Sequence, residues 1–383
     1  LSQEDIKFLS SFEEVVICFD SDEPGRKGAK ALARSFGTGV KVSILDLSLK
    51  DANEYLKAGR EEEFRKAWFN NKKPYRPDGL VYSSETSNLI SEYDPKPDAY
   101  YPWSGLNQIL WGIYKPSLIV VTAGSGVGKT AMVKSLMLNL YQTTTEKIGA
   151  IFLEESVKQS IYQFISIEMG RNINNPYIYE QTDKTDILKA WDKVFKSDRW
   201  MFWDHFGSSS LDQVCEQVRF MAVNWGASYI VLDHISIIVS SQENGDERKA
   251  LDEIMTRLRK LCEELGICIV LVSHLKRPSG QDGHENGGVT SLAQLRGSAG
   301  IGQLADVVLG IERNGQHDEI RKRNLSTVRV LKSRKTGLTG PATKLYWDND
   351  KYSFTEVPVD GEDEFFAELT RTETEQEPTP TEI

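Results

Sequence analysis

Ala123-Gly124-Ser125-Gly126-Val127-Gly128-Lys129-Thr130 can cradle phosphate, with alanine standing where such loops usually begin on glycine. Glycines let the backbone curl so that successive N–H groups point at phosphate oxygens. Lys129 supplies an ammonium for the β and γ phosphates, and Thr130 offers a hydroxyl to Mg²⁺. The flanks strengthen the reading. An apolar strand, Ser117 to Thr122, runs in, and an amphipathic helix runs out with positive potential at its N-terminus. Hydrolysis needs carboxylates as well. Tyr229-Ile-Val-Leu-Asp233 is an apolar strand ending in the expected partner of that Mg²⁺. Glu154 or Glu155, at the end of the apolar run Ala150–Leu153, is placed to orient a water.

Other residues carry chemistry too. Val15-Val-Ile-Cys-Phe-Asp20-Ser-Asp22 is an apolar strand ending in two aspartates that would project on one side and share Mg²⁺. Lys276 and Arg277 open a polar, glycine-rich stretch reaching Gly288, a candidate for phosphate contacts with single-stranded DNA. Cys18, Cys215, Cys262 and Cys268 form no C-x-x-C pair and read as buried, reduced thiols of a cytoplasmic protein.

These groups need a scaffold. Residues 104–354 alternate strand and helix signals, the pattern of an α/β domain whose mostly parallel sheet is covered on both faces. Strands are expected at Leu118–Thr122, Ala150–Leu153, Tyr229–Leu232, Ile267–Val272, Val307–Ile311 and Thr327–Lys332. Val133, Leu136, Met137 and Leu140 follow helical spacing, as do Leu251, Ile254, Leu258, Leu261 and Leu265, with Gly266 placed as a stop. Residues 1–71 form a smaller α/β piece, and 72–103 a proline-dense linker with room for a short helix at Ser84–Tyr93. Residues 355–383, rich in Glu, Thr and Pro, are expected to be disordered.

That last segment holds ten acids and one base, so it carries −9 of the chain's net −10. The rest is near neutral, which leaves room for a basic patch. No apolar run approaches a membrane span and no basic-then-apolar leader opens the sequence, so no membrane association is expected.

Six ordered motifs carry a resemblance: Leu153-Glu-Glu-Ser, Ile230-Val-Leu-Asp-His-Ile-Ser, Ser273-His-Leu-Lys, Leu295-Arg-Gly-Ser, Ile311-Glu-Arg-Asn and Leu331-Lys-Ser-Arg. Together they resemble the helicase domain of the bifunctional primase-helicase of short-tailed phages, to which the mitochondrial replicative helicase is related. The front piece agrees. Its Asp20-Ser-Asp22 and Lys50-Asp-Ala-Asn-Glu resemble the metal-binding end of a Toprim domain. Such a domain also needs an acid from an earlier strand, and primases usually carry a zinc module before it. Primer synthesis is therefore not expected, and the chain, opening on Leu1, reads as part of a longer protein.

The resemblance implies a RecA-like core, a homo-hexameric ring, single-stranded DNA as partner, and ATP or dTTP as substrate with Mg²⁺. It implies the cytoplasm of a phage-infected bacterium, or a mitochondrion. It casts Glu154 as the base, on a strand beside the P-loop strand, and His274 as the sensor coupling nucleotide to DNA. Gln303 falls where the γ-phosphate is read, although the family's preceding arginine is Gly302 here. Arg313 and an aromatic, Tyr346 or the better-aligned Trp347, fall where the base is sandwiched. Arg334 resembles a finger reaching the next subunit's γ-phosphate, with Lys332 two residues earlier pointing the same way. The acidic tail implies docking of the replicative DNA polymerase, without the family's terminal aromatic. Two rivals remain. A strand-exchange ATPase of the RecA type fits the late motifs poorly, and a nucleotide-gated assembly factor would not raise turnover with DNA.

Overall fold

The computed structural model describes residues 1–87, 90, 94–205, 209–235, 247–275, 283, 286–295, 299–357, 361, 362 and 364–367. The chain divides into two units, Leu1–Pro95 and Lys96–Ile383.

In the first unit, β1 (Glu14–Ile17), β2 (Lys41–Leu45) and β3 (Lys72–Pro74) form one sheet in that order. β1 and β2 are parallel, which requires a crossover, and the helix Glu23–Ser35 supplies it. Asp22 caps that helix by accepting from Gly25 N at 2.9 Å, and its inner face buries Ala29 and Ala33 with Ile17, Phe36 and Val42. β3 corrects the linker boundary expected at residue 72. It pairs antiparallel with β2, and Lys72 donates to Glu14 of β1 at 2.7 Å. Glu14 also accepts from Ser43 Oγ at 2.8 Å, so one carboxylate ties all three strands. In the stretch expected to hold a helix, Ser84–Tyr93, the structure has a 3₁₀ turn, Ser83–Glu85, and helical backbone at Ser87 and Ile90; residues 88, 89 and 91–93 lie outside the described residues.

The second unit is built on β4 (Ser117–Ala123), β5 (Lys147–Phe152), β6 (Trp200–Phe202), β7 (Ala227–Asp233), β8 (Cys268–His274), β9 (Val307–Arg313), β10 (Leu325–Ser333), β11 (Gly340–Asp348) and β12 (Ser353–Val357). They form one sheet in the order β12-β11-β10-β9-β4-β8-β7-β5-β6. The six strands from β9 to β6 are parallel, and β10, β11 and β12 add an antiparallel flank.

Every residue of β4 is buried, as a central strand covered on both faces requires. Alternate residues serve opposite faces. Ile119 and Val121 pack with Val133, Met137 and Leu140 of the helix Lys129–Thr143. Leu118 and Val120 pack with Ile254, Leu258 and Leu261 of the helix Glu247–Leu265, which Gly266 ends at φ +64°. The six expected strands are present, each with ends within three residues of those expected.

Two expectations are overturned. β5 does not lie beside the P-loop strand, because β8 and β7 stand between them. Each new parallel strand pairs where its crossover delivers it, and later strands have been inserted at the centre. The tail does not begin at residue 355 either. β12 runs through Val357, and Glu356 accepts from Ser104 N and Gly105 N at 2.7 and 2.9 Å. Beyond it, Phe365 and Phe366 pack on Tyr346 with ring centroids 5.7 and 6.0 Å away. Residues 368–383 lie outside the described residues. Among the described residues no helix is long and apolar enough to cross a membrane.

Candidate nucleotide site

Parallel strands end together, and here β4, β5, β7 and β8 deliver their C-termini to one cleft of about 420 Å³. The P-loop curls from the end of β4 into the helix Lys129–Thr143, using left-handed backbone at Gly126 (φ +72°) and Gly128 (φ +106°). Val127 is buried and anchors the loop's outer edge. Lys129 turns back so that its ammonium donates to the carbonyls of Ala123 at 3.3 Å and Gly124 at 2.8 Å. Burial pushes its pKa down to about 8, against the pull of Asp233 and Glu154. An arriving phosphate supplies the missing counter-charge.

Thr130 Oγ donates to Asp233 Oδ2 at 2.6 Å. The other carboxylate oxygen of Asp233 is buried without a hydrogen-bond partner among the described residues. Burial raises the Asp233 pKa, opposed first by the Thr130 hydrogen bond. A buried, half-satisfied carboxylate next to a threonine hydroxyl is an oxygen donor set that suits Mg²⁺.

The neighbouring glutamates separate cleanly. Leu153 N donates to Asp233 O at 2.8 Å, which locks the loop after β5 onto the end of β7. Glu154 is half exposed into the cleft, and its Oε1 lies 2.6 Å from Nε2 of the buried His234. Glu155 turns inward. It pairs with the fully buried Lys134 and accepts from Ser160. His274, at the end of β8, packs edge-on against His234 with centroids 4.3 Å apart. Sequence reasoning passed over His234. Its only signal was its place directly after Asp233.

The sequence matches the profile of the DnaB-like helicase C-terminal domain over residues 102–356, well over half of the chain. The chain belongs to that family. The same comparison finds a Toprim-like match over residues 1–56. A DNA helicase/primase of Enterobacteria phage T3 is 32% identical over 357 residues, covering 90% of this chain and 61% of the phage protein. A Twinkle homolog of Arabidopsis thaliana is 20% identical over 376 residues, covering 92% of this chain and 51% of that protein. The chain thus spans about half to three fifths of these curated relatives. A solved DnaB-like replicative helicase superposes with TM-score 0.59 at 17% identity, covering 79% of this chain and 73% of that one. This likeness supports the RecA-like fold of the second unit.

The residues after β8 that the resemblance singled out fall into two groups. Arg313, Tyr346 and Trp347 lie at the P-loop end of the sheet, since Ala123 pairs with Ile311. Asn324 holds two of them together: Arg313 donates to its side chain at 3.1 Å, and its carbonyl accepts from Trp347 N at 2.9 Å. Trp347 packs against Phe354 with centroids 4.7 Å apart and planes inclined by 58°, and Phe354 lies beside Gly128. Tyr346, on the opposite strand face, is core. Trp347→Ala is therefore expected to raise KM for nucleotide about 3- to 10-fold, the worth of one aromatic contact. Tyr346→Ala is expected to leave KM alone and lower stability by about 3 kcal/mol in chemical denaturation. The reverse pattern would exchange their roles.

Gln303, Lys332 and Arg334 form the second group, and the structure does not bring them to the cleft of their own chain. Val307 pairs with Ile119, and β10 runs back so that Ser333 pairs with Val307. That places them at the other end of the sheet, on the order of 13 Å below the P-loop at strand rise. There Lys332 and Arg334 both donate to the Gln303 carbonyl, at 2.9 and 2.7 Å, and Arg334 meets Asp306 at 3.3 Å. Lys276 and Arg277 lie outside the described residues.

Asp20 and Asp22 belong to the other unit. β1 ends at Ile17, so neither projects from the strand itself. Asp22 is a helix cap, and Lys50 reaches both carboxylates, at 3.8 and 3.9 Å. A lysine ammonium stands where a shared cation was expected.

Proposed function

We propose that this chain is the motor of a replicative DNA helicase. It hydrolyses ATP or dTTP, moves along single-stranded DNA and separates a duplex as a homo-hexameric ring. One observation carries this reading. Lys129, Thr130, Asp233 and Glu154 share one cleft, while Lys332 and Arg334 stand at the opposite end of the same sheet. A single subunit therefore holds the phosphate site and the finger apart. Head-to-tail packing, which closes into a ring or grows into a filament, brings one subunit's finger to the next subunit's phosphate.

Within the cleft, the P-loop N–H groups and Lys129 hold the triphosphate, and Glu154 orients and deprotonates the attacking water. Thr130 and Asp233 would hold Mg²⁺, which offsets phosphate charge when bound. His274, at the end of β8, senses the nucleotide, and Lys276 and Arg277 supply cations for the phosphates of single-stranded DNA. Gln303 contributes beside the finger. Arg313 and Trp347 clasp the base. The acidic tail docks a basic surface of a replicative polymerase, and the location is the cytoplasm of a phage-infected host or a mitochondrion.

The test is hydrolysis measured on sized oligomer fractions with and without single-stranded DNA. Turnover should be concentrated in closed rings and rise with DNA. Equal turnover in monomers, indifferent to DNA, would overturn the reading. Active filaments would favour the strand-exchange class instead.

A further inference from the structure

Three side chains at the cleft have a donor chemistry that nucleotide binding does not use as a set. Glu154, His234 and His274 offer one carboxylate oxygen and two ring nitrogens, all within 4.8 Å of one another. They come from the ends of β5, β7 and β8, so three neighbouring strands fix their backbones. His234 is buried and its ring is braced edge-on by His274. Glu154 is half exposed and has room to turn.

We infer that Glu154, His234 and His274 form a binding site for a divalent transition-metal ion, Zn²⁺ by preference, which halts hydrolysis when filled. A tetrahedral ion with bonds of about 2.0–2.1 Å sets its ligand atoms about 3.3 Å apart. The present spacing brackets that value: 2.6 Å between Glu154 and His234, and no pair beyond 4.8 Å. Rotation of the Glu154 side chain closes the set, and the fourth position stays open to water. Mixed nitrogen and oxygen donors select Zn²⁺ over Mg²⁺, which takes oxygen donors and has Thr130 with Asp233. The ion would occupy the Glu154 carboxylate, leaving none to accept the water proton. This last step rests on the proposed role of Glu154; the site itself rests only on the geometry.

Co²⁺ is the probe, because its visible absorption intensifies in a tetrahedral site. The full chain, free of nucleotide and held in excess Mg²⁺ to fill oxygen sites, is titrated with Co²⁺. One ion per chain should bind, Zn²⁺ should displace it, and Thr130→Ala should leave it in place. His274→Ala and His234→Gln should each weaken binding at least tenfold, with folding checked by circular dichroism. His274 is the less buried of the two, so its variant carries the test if His234→Gln unfolds. In the second arm, saturating Zn²⁺ with Mg²⁺ in excess should reduce turnover to the level of Glu154→Gln, and a chelator should restore it. No tetrahedral band, or a band that survives loss of His274, overturns the metal site and leaves the Glu154 reading standing. A band without inhibition confirms the site and removes Glu154 as the base.

Discussion

A Lys129→Ala chain and an Arg334→Ala chain, each inactive alone, are expected to hydrolyse nucleotide when mixed. The sheet provides the reason. β9 runs parallel to β4 and β10 returns antiparallel, so Arg334 ends level with the start of β4 while the P-loop begins at its end. No side-chain rotation carries a guanidinium past that length of strand. Arg334 is half exposed, held by Asp306 and the Gln303 carbonyl, and so is presented outward from its own chain. In mixed rings roughly a quarter of interfaces join an intact P-loop to an intact finger, by random assortment around a head-to-tail ring. A finger is worth on the order of 10³-fold or more in rate, so that fraction should stand well above background. Hydrolysis should recover more than unwinding, because translocation needs consecutive sites to fire in order. A mixture as dead as its parts, with rings formed and subunits exchanging, would mean that the finger acts within one chain or is another residue.

Glu154→Gln should bind nucleotide and DNA normally and lose about 10²- to 10⁴-fold in kcat. The amide keeps the shape of the carboxylate and cannot take the water's proton. Glu155→Gln should behave differently although it is the adjacent residue. Glu155 is the counter-charge of Lys134, which is fully buried and held between the Phe152 and Phe164 rings at 4.6 and 5.8 Å. Burial lowers the Lys134 pKa, and Glu155 is the largest influence opposing that shift. The amide would still offer the ammonium a neutral oxygen, as Gln163 does at 2.5 Å, but no counter-charge in an apolar setting. Breaking such a buried pair costs about 3–5 kcal/mol, so the Tm should fall while kcat per folded molecule holds. Paired measurements of Tm and kcat on both variants decide it. A dead but stable Glu155→Gln would exchange the two assignments.

Much of this protein was legible from residues close together in sequence. The P-loop is eight consecutive residues whose backbone shape is set by its own glycines, so its strand and helix flanks were readable as well. The apolar runs that became β4, β7 and β8 announced strands buried on both faces, because parallel strands must be apolar throughout. The small strands β3, β6 and β12 carried no such signal. They are short, and β3 and β6 pair with strands far back along the chain.

What the tertiary structure decided was adjacency. Buried parallel strands read alike, so nothing in their composition told that β8 and β7 would stand between β4 and β5. Glu154 and Glu155 are identical in type, and only the packing of Lys134 turned one inward. Tyr346 and Trp347 differ by one position, which in a strand means opposite faces, and the Phe365–Phe366 contact settled which face was core. His234 acquired significance only when β5 brought Glu154 to it. The sequence alone determined which groups this protein has for phosphate chemistry, since local backbone preference and side-chain type are properties of neighbouring residues. Which of them meet in one cleft, and which stand at the far end of the sheet, depended on hydrogen bonding between strands far apart in the chain, and that pairing is written in no short stretch of it.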